Sequence, residues 1–284
     1  MRMRVLRVGG VHEPFNLPWL RAFEDNAFAH LGVEVTFTDF DGGTGALVGA
    51  LEDGAIDLAT VLTEGGVTAI GRGSRIRLHS AFVTSPLRWG IHVAAKATQN
   101  NIAELEGKKF AISRFGSGSE LMAYELANQQ GWKLDDTQFV VVGGVDGAVE
   151  ALPKRNAHIF LWERFVTAPL VEQGVFARIG EIPTPWPSFY TAARPDLLDR
   201  DRLLIDAVVD IMFGYAAELV THPESTIDLI VDRYGMSRHD ARTWLRGVEW
   251  PSTTMVDTDV LDSVVARMVE LGRIEEAIPA IDLV

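Results

Sequence analysis

Between an apolar run, Lys109–Ile112, and a helical pattern, Glu120–Ala127, the chain places Ser113-Arg114-Phe115-Gly116-Ser117-Gly118-Ser119. Glycines and serines between a strand and a helix leave backbone N–H groups unpaired at the positive end of the helix dipole. Such a turn receives an anion or a polar ligand atom, or simply caps its helix; Ser117, Gly118 and Ser119 are the candidates here. Arg114 offers a bidentate fork for a carboxylate, sulfonate or phosphate, or pairs with Glu120 on the surface. A second turn of this kind, Asp41-Gly42-Gly43-Thr44-Gly45, makes Gly43 and Thr44 candidates too. Two such turns suggest two lobes with a ligand between them. Neither is a nucleotide signature: there is no G-x-x-x-x-G-K-[ST], and the spacing is wrong for G-x-G-x-x-G.

Other chemistry is limited by what the chain lacks. It has no cysteine, which excludes disulfides, thiolate nucleophiles and Cys-ligated zinc or iron–sulfur centres. Ser117 has no G-x-S-x-G elbow, and no nucleophile triad is visible. His12 beside Glu13 has no further ligand at metal spacing, so no metal is expected. His79, His92, His158, His222 and His239 are scattered and read as structural or surface residues. No catalytic residue and no cofactor is implied.

The elements that must position the turns follow from the pattern. Strands are expected at Val5–Val8, Val33–Phe37, Ile56–Leu62 and Ile76–Thr84, with helices over 13–30, 44–51 and 63–70. This alternation argues for a largely parallel sheet covered by helices on both faces. Ser85-Pro86-Leu87-Arg88-Trp89-Gly90 interrupts it, and a strand resumes at Ile91. The alternation repeats with strands at Lys109–Ile112, Gln138–Val142, His158–Leu161 and Val175–Ile179, and helices over 117–130, 145–152 and 164–173. Pro183-Thr184-Pro185-Trp186-Pro187 breaks it again. Helices follow over 199–221, 226–234, 237–247 and 257–271, with Ser237 and Asp257 as N-caps. The expected fold is α/β, with two lobes joined by two crossover hinge segments. Residues 1–87 with 188–284 form lobe 1, and 88–187 form lobe 2.

With 284 residues, each lobe has enough chain for its own core. The net charge of −13 makes nucleic acid an unsuitable partner and disfavours anionic membranes. No run of 18 apolar residues spans a membrane. Met1-Arg2-Met3-Arg4-Val5-Leu6-Arg7-Val8 carries charges and no apolar signal core. The expected location is the cytoplasm, or the periplasm should a leader have been removed.

Three segments resemble the type II periplasmic substrate-binding proteins, in the branch with sulfonate-, nitrate- and thiamine-pyrimidine-binding members. Gly42–Leu47 with Ala50-Leu51-Glu52-Asp53-Gly54-Ala55-Ile56-Asp57-Leu58-Ala59 looks like that branch's Gly-rich turn and ALxxGxIDxA signature. Phe110–Ser119 resembles its second-lobe ligand turn. Gly147–Leu152 with Ala157–Glu163 resembles the A-L-x-x-G-x-x-D-A element, but Pro153-Lys154-Arg155-Asn156 replaces the Gly turn and His158 stands where Asp is common. Leu62–Gly65, Ser85–Ile91 and Phe160–Phe165 look like a subgroup without signal peptides that includes a Candida protein of unknown role.

The resemblance implies a small-molecule ligand held between the lobes at the C-terminal ends of strands, with closure by hinge motion. The loops so placed add His12, Glu13, Thr63, Glu64, Ser85, Arg88, Trp89, Trp162, Glu163 and Trp186 to the candidates. Glu64 either caps its helix or receives an amine or ring N–H. The tryptophans either stack on a planar ligand or pack in the core. A thiamine-pyrimidine precursor or a sulfonate fits this mixed set. An ABC permease is the implied partner if the chain is exported. A cytosolic enzyme of thiamine or menaquinone precursor metabolism is the second reading. Pyrimidine-forming and desulfinating relatives use cysteines, which argues against both, whereas the menaquinone branch stays open. A ligand-sensing module read by a partner protein through the helices from Asp199 to Val284 is the third.

Overall fold

The computed structural model describes residues 4–284; Met1, Arg2 and Met3, the start of the stretch read as free of a signal core, lie outside them. The chain divides into two compact units, Met1–Ser85 with Trp186–Val284, and Pro86–Pro185. The first opens β1 (Arg4–Gly10), α1 (Leu17–Glu24), β2 (Val33–Asp39), α2 (Gly43–Glu52), β3 (Leu58–Leu62) and α3 (Thr63–Gly71). Strand β4 (Arg77–Ala94) leads into the second, which holds β5 (Phe110–Ile112), α4 (Gly118–Gln130), β6 (Phe139–Val141), α5 (Val145–Ala151), β7 (Ile159–Glu163) and α6 (Ala168–Glu172). Strand β8 (Phe176–Ala193) leads back, and α7 (Pro195–Thr221), α8 (Pro223–Tyr234), α9 (Arg238–Gly247) and α10 (Thr258–Glu270) complete the first unit.

Each unit repeats one strand plan. In the first, β1 pairs in parallel with β2 and β3, and β3 pairs antiparallel with β8. In the second, β5 pairs in parallel with β6 and β7, and β7 pairs antiparallel with β4. The strand orders β2-β1-β3-β8 and β6-β5-β7-β4 therefore correspond position by position. The first unit buries Leu6, Val8, Trp19, Leu58, Val61 and Phe213. The second has its own cluster of Ala111, Ala148, Leu152, Ala157, Phe160 and Phe176.

The structure corrects the sequence reading of both crossovers. Neither is a loop: β4 runs unbroken through Ser85–Gly90, and β8 runs unbroken through Pro183–Pro187. Backbone N–H and C=O of one strand residue point to the same edge, and the next residue's to the other. Pro183, Pro185 and Pro187 alternate, so their missing donors share one edge. The Thr63 hydroxyl donates to the Pro187 carbonyl at 2.6 Å, which identifies that edge as the β3 side, just past the last β3 residue, Leu62. No ladder donor is needed there, and proline costs nothing.

The helix expected over 13–30 is also shorter. A 3-10 turn at Pro14–Asn16 precedes α1, and Asn26 at φ +51° ends that run. The stretch expected as a helix over 164–173 holds only five helical residues, Ala168–Glu172. Ser237 and Asp257 do cap α9 and α10, accepting from the Asp240 and Val260 N–H groups.

Candidate functional site

In the first unit the candidate residues cluster where β1, β2 and β3 end. Beyond β3, Thr63 and Glu64 open α3 and are both buried. The Trp186 indole Nε1 donates to Glu64 Oε2 at 2.8 Å, while Glu64 Oε1 is buried without a hydrogen-bond partner. Glu64 is 3% exposed. Burial pushes its carboxyl up to about 7, against the smaller pull of its own backbone N–H and of the Trp186 indole. An unpaired carboxylate oxygen in a buried position is expensive unless something meets it.

The neighbouring turn is built to support this corner. Thr44 Oγ1 accepts the Leu62 N–H at 3.0 Å, tying the start of α2 to the end of β3. A Cβ at Gly65 would lie 2.7 Å from Thr44 Cγ2, so only glycine lets the two turns meet. Gly43 is the first residue of α2, at φ +62°.

After β1, His12 is exposed, and its Nδ1 lies 3.1 Å from Asp39 Oδ2. Its ring meets Tyr234 at 4.9 Å between centroids. Glu13 beside it is half-buried, and desolvation of its carboxyl raises it to about 7 while the His12 charge works the other way. Ser85 serves the scaffold: its Oγ accepts the Glu249 N–H at 3.1 Å, and its carbonyl accepts from Ser188 Oγ at 2.5 Å.

In the second unit the serine turn closes on itself. Ser117 caps α4 by accepting the Glu120 N–H at 3.3 Å, and Ser119 Oγ accepts the Ser113 N–H at 2.9 Å. Glu120 Oε2 takes the Gly116 N–H at 2.6 Å. A carboxylate of the chain itself thus takes one of the turn's N–H donors, and Ser117 caps the helix, the second of the two readings open for this turn. Gly118 is half-buried, and Arg114 is exposed and makes no salt bridge among the described residues. It does not pair with Glu120.

Arg88 is held by the protein. It bridges to Glu181 Oε2 at 2.7 Å, and Arg164 takes the other oxygen of the same carboxylate. Both guanidinium groups lie over the Phe165 ring, at 5.8 and 4.9 Å. Glu163 Oε2 accepts the Phe165 and Val166 N–H groups at 2.7 Å each, capping the turn after β7. Trp89 is buried and meets Trp162 edge-on at 6.4 Å. Trp162 is half-buried and stacks on Phe160 at 5.2 Å. The Trp89 indole Nε1 has no hydrogen-bond partner.

The sequence reading missed Glu181 and Tyr234, whose alignment with Arg88 and His12 comes from distant strands and helices. Two buried histidines are structural: His79 Nε2 meets Asp206 at 2.7 Å, and His92 Nε2 meets Thr167 Oγ1 at 2.9 Å.

Solved structures share this fold. The Candida albicans CA3427 gene product, described as defining a family with the generic periplasmic binding protein structural fold, superposes with a TM-score of 0.88 over 98% of this chain and 93% of its own, at 24% identity. The chain has the periplasmic-binding-protein fold. Residues 89–182, within the second unit, match the family model described as Ca3427-like PBP. Other proteins of this fold resemble it as a whole. The alkanesulfonate-binding protein SsuA from Xanthomonas axonopodis pv. citri, bound to MOPS, matches with a TM-score of 0.83 at 14% identity over 98% of this chain and 97% of its own. The periplasmic nitrate-binding protein NrtA from Synechocystis matches with a TM-score of 0.69 at 15% identity over 98% and 84%. No curated protein matches the sequence.

Proposed function

We propose that this periplasmic-binding-protein-fold chain captures a small planar ligand that donates an N–H to Glu64 Oε1. The observation that carries this is the half-paired carboxylate itself: Trp186 holds one oxygen, and the other is buried without a partner. Above pH 7, where Glu64 is ionised, its carboxylate only accepts hydrogen bonds, so its complement there is an amine or a ring N–H. A heteroaromatic amine of the thiamine-pyrimidine kind meets that demand. A sulfonate group brings only acceptor oxygens to Glu64. The serine turn also favours the amine, because Ser117, Ser119 and Glu120 already take three of its donors. Capture rather than turnover is the reading, and an ABC permease is the partner inferred for an exported form.

Titration calorimetry at pH 8 tests this with 4-amino-5-hydroxymethyl-2-methylpyrimidine and with ethanesulfonate, which has no N–H, as the sulfonate. The expected result is saturable binding of the pyrimidine and none of ethanesulfonate. Glu64→Gln keeps the shape and is expected to weaken pyrimidine binding about 10- to 100-fold, as a hydrogen bond to a charged group is lost. Tight binding of ethanesulfonate, unaffected by that substitution, overturns the assignment.

A further inference from the structure

The second unit carries an orphaned polar group of the opposite kind. Trp89 is 6% exposed, and its indole Nε1 is buried with no hydrogen-bond partner. Leaving such a donor unpaired costs on the order of 1–3 kcal/mol, a penalty that a phenylalanine would avoid.

Its place in the fold separates it from the orphaned Trp19 indole and His158 ring; Arg164 Nε, also unpartnered, lies at the same edge, but that guanidinium is already paired with Glu181. Trp89 pairs with Glu163, the last residue of β7, so it sits at the C-terminal end of the parallel strands β5, β6 and β7. That edge is where open α/β sheets hold ligands. Trp19 also has an unpartnered indole, but it lies within α1 against Phe28 in the core. His158 Nδ1 precedes β7, at the opposite end of the strand. Beside Trp89, Trp162 is stacked on Phe160 at an interplanar angle of 18° and remains half-buried. One face of a flat ring is thus backed by protein, next to a donor with nothing to donate to.

We infer that Trp89 Nε1–H is the second unit's hydrogen-bond donor to an acceptor atom, a ring nitrogen or a carbonyl or hydroxyl oxygen, of a planar ligand that stacks on Trp162. This rests on the reading that the protein captures a small planar molecule, and it adds what that molecule must accept. Trp89 is a positioning and specificity residue, not a catalytic one.

The test uses the full chain with 15N-labelled indoles and 4-amino-5-hydroxymethyl-2-methylpyrimidine as the probe. The Trp89 indole resonance is assigned by its loss in Trp89→Phe, or by its contacts with Trp162 should that variant fail to fold. On saturation with the pyrimidine it is expected to shift downfield. Trp89→Phe is expected to weaken binding about 5- to 10-fold, the worth of one neutral hydrogen bond, while the ligand-free protein melts at or above the wild-type temperature. If the pyrimidine binds and the Trp89 resonance stays in place, this inference is wrong while the capture reading stands. If the pyrimidine neither binds nor moves any indole resonance, both are overturned.

Discussion

Trp186 Nε1 donates to Glu64 Oε2 across 2.8 Å, joining β8 to the first turn of α3 and leaving Glu64 Oε1 alone in the interior of the first unit. The bond fixes the carboxylate and exposes the cost of burying it.

That cost makes stability depend on pH. The Glu64 pKa is raised from 4.5 to about 7 on folding, so the native state binds the proton more tightly than the unfolded chain. Stability is then greatest below the unfolded value, falls as pH rises from about 4.5 to 7, and levels off above it. The loss for one such group is on the order of 3 kcal/mol. Glu13, also raised to about 7, adds a second contribution in the same window. Urea unfolding from pH 4.5 to 8 is expected to show Glu64→Gln with a visibly flatter profile than wild type, and Glu64→Gln with Glu13→Gln flatter still. An unchanged profile in both variants contradicts the assigned burial.

Trp186→Phe removes the indole that donates to Glu64 Oε2. It is expected to destabilise the ligand-free protein by about 1–3 kcal/mol at pH 8, where the carboxylate is ionised, and by less at pH 5. Thermal melts at the two pH values check this; an equal loss at both points instead to packing alone.

The two units solve one turn differently. Gly54 lies before β3 at φ +69°, and Arg155 lies before β7 at φ +58°. Their hydrogen bonds match: Gly54 N to Leu51 O and Ala55 N to Ala50 O in one, Arg155 N to Leu152 O and Asn156 N to Ala151 O in the other. The left-handed conformation costs a side-chain-bearing residue roughly 1–2 kcal/mol, partly offset because glycine is freer when unfolded. Arg155→Gly is expected to stabilise the protein by about 0.5–1 kcal/mol in urea unfolding. A loss of stability shows that the Arg155 side chain contributes more than its backbone costs.

The proline pattern of β8 gives a sharper contrast. Moving proline by one residue puts the missing donor on the other edge of the strand. Pro185→Ala is expected to change stability by under about 1 kcal/mol, whereas Thr184→Pro is expected to cost about 3 kcal/mol or more. Thr184→Pro also removes the hydroxyl that accepts the Leu87 N–H at 3.0 Å, so Thr184→Val serves as the control for that loss alone. Equal melting temperatures for Thr184→Pro and Thr184→Val contradict the strand assignment.

Where sequence and structure agree, the signal is local. Gly42–Leu47 and Ala50–Ala59 announce a turn, a helix and a strand through glycine positions and apolar spacing, and the chain folds that way. Asp57 within that stretch ends in a bidentate pair with Arg7, and its N–H donates to the Arg7 carbonyl at 2.7 Å. Burial alone pushes Asp57 up, but the Arg7 hydrogen bonds and the Arg7 and Arg194 charges hold it below the usual carboxylate range. His158 occupies the matching place in the second unit, its N–H donating to the Lys109 carbonyl at 2.8 Å, with no acid to make the pair.

What was not legible depended on partners far along the chain. Pro86 and Pro183–Pro187 read as breaks because a sequence does not say which edge of a strand lacks a neighbour. Arg88 read as a ligand group because Glu181, which neutralises it, lies on β8. Pairing with Glu120 was one of two readings open for Arg114, and Glu120 instead folds back onto Gly116. Glu64 stood out because it directly follows a buried strand, but only the structure shows one oxygen held and one left over.

The most direct measurement is a crystal structure of the full chain grown with 4-amino-5-hydroxymethyl-2-methylpyrimidine. The account predicts a ligand nitrogen about 2.7–3.2 Å from Glu64 Oε1, with the Trp186 bond to Oε2 retained. A bound pyrimidine with no donor near Glu64, or Glu64 Oε1 met instead by a side chain of the protein, would contradict it.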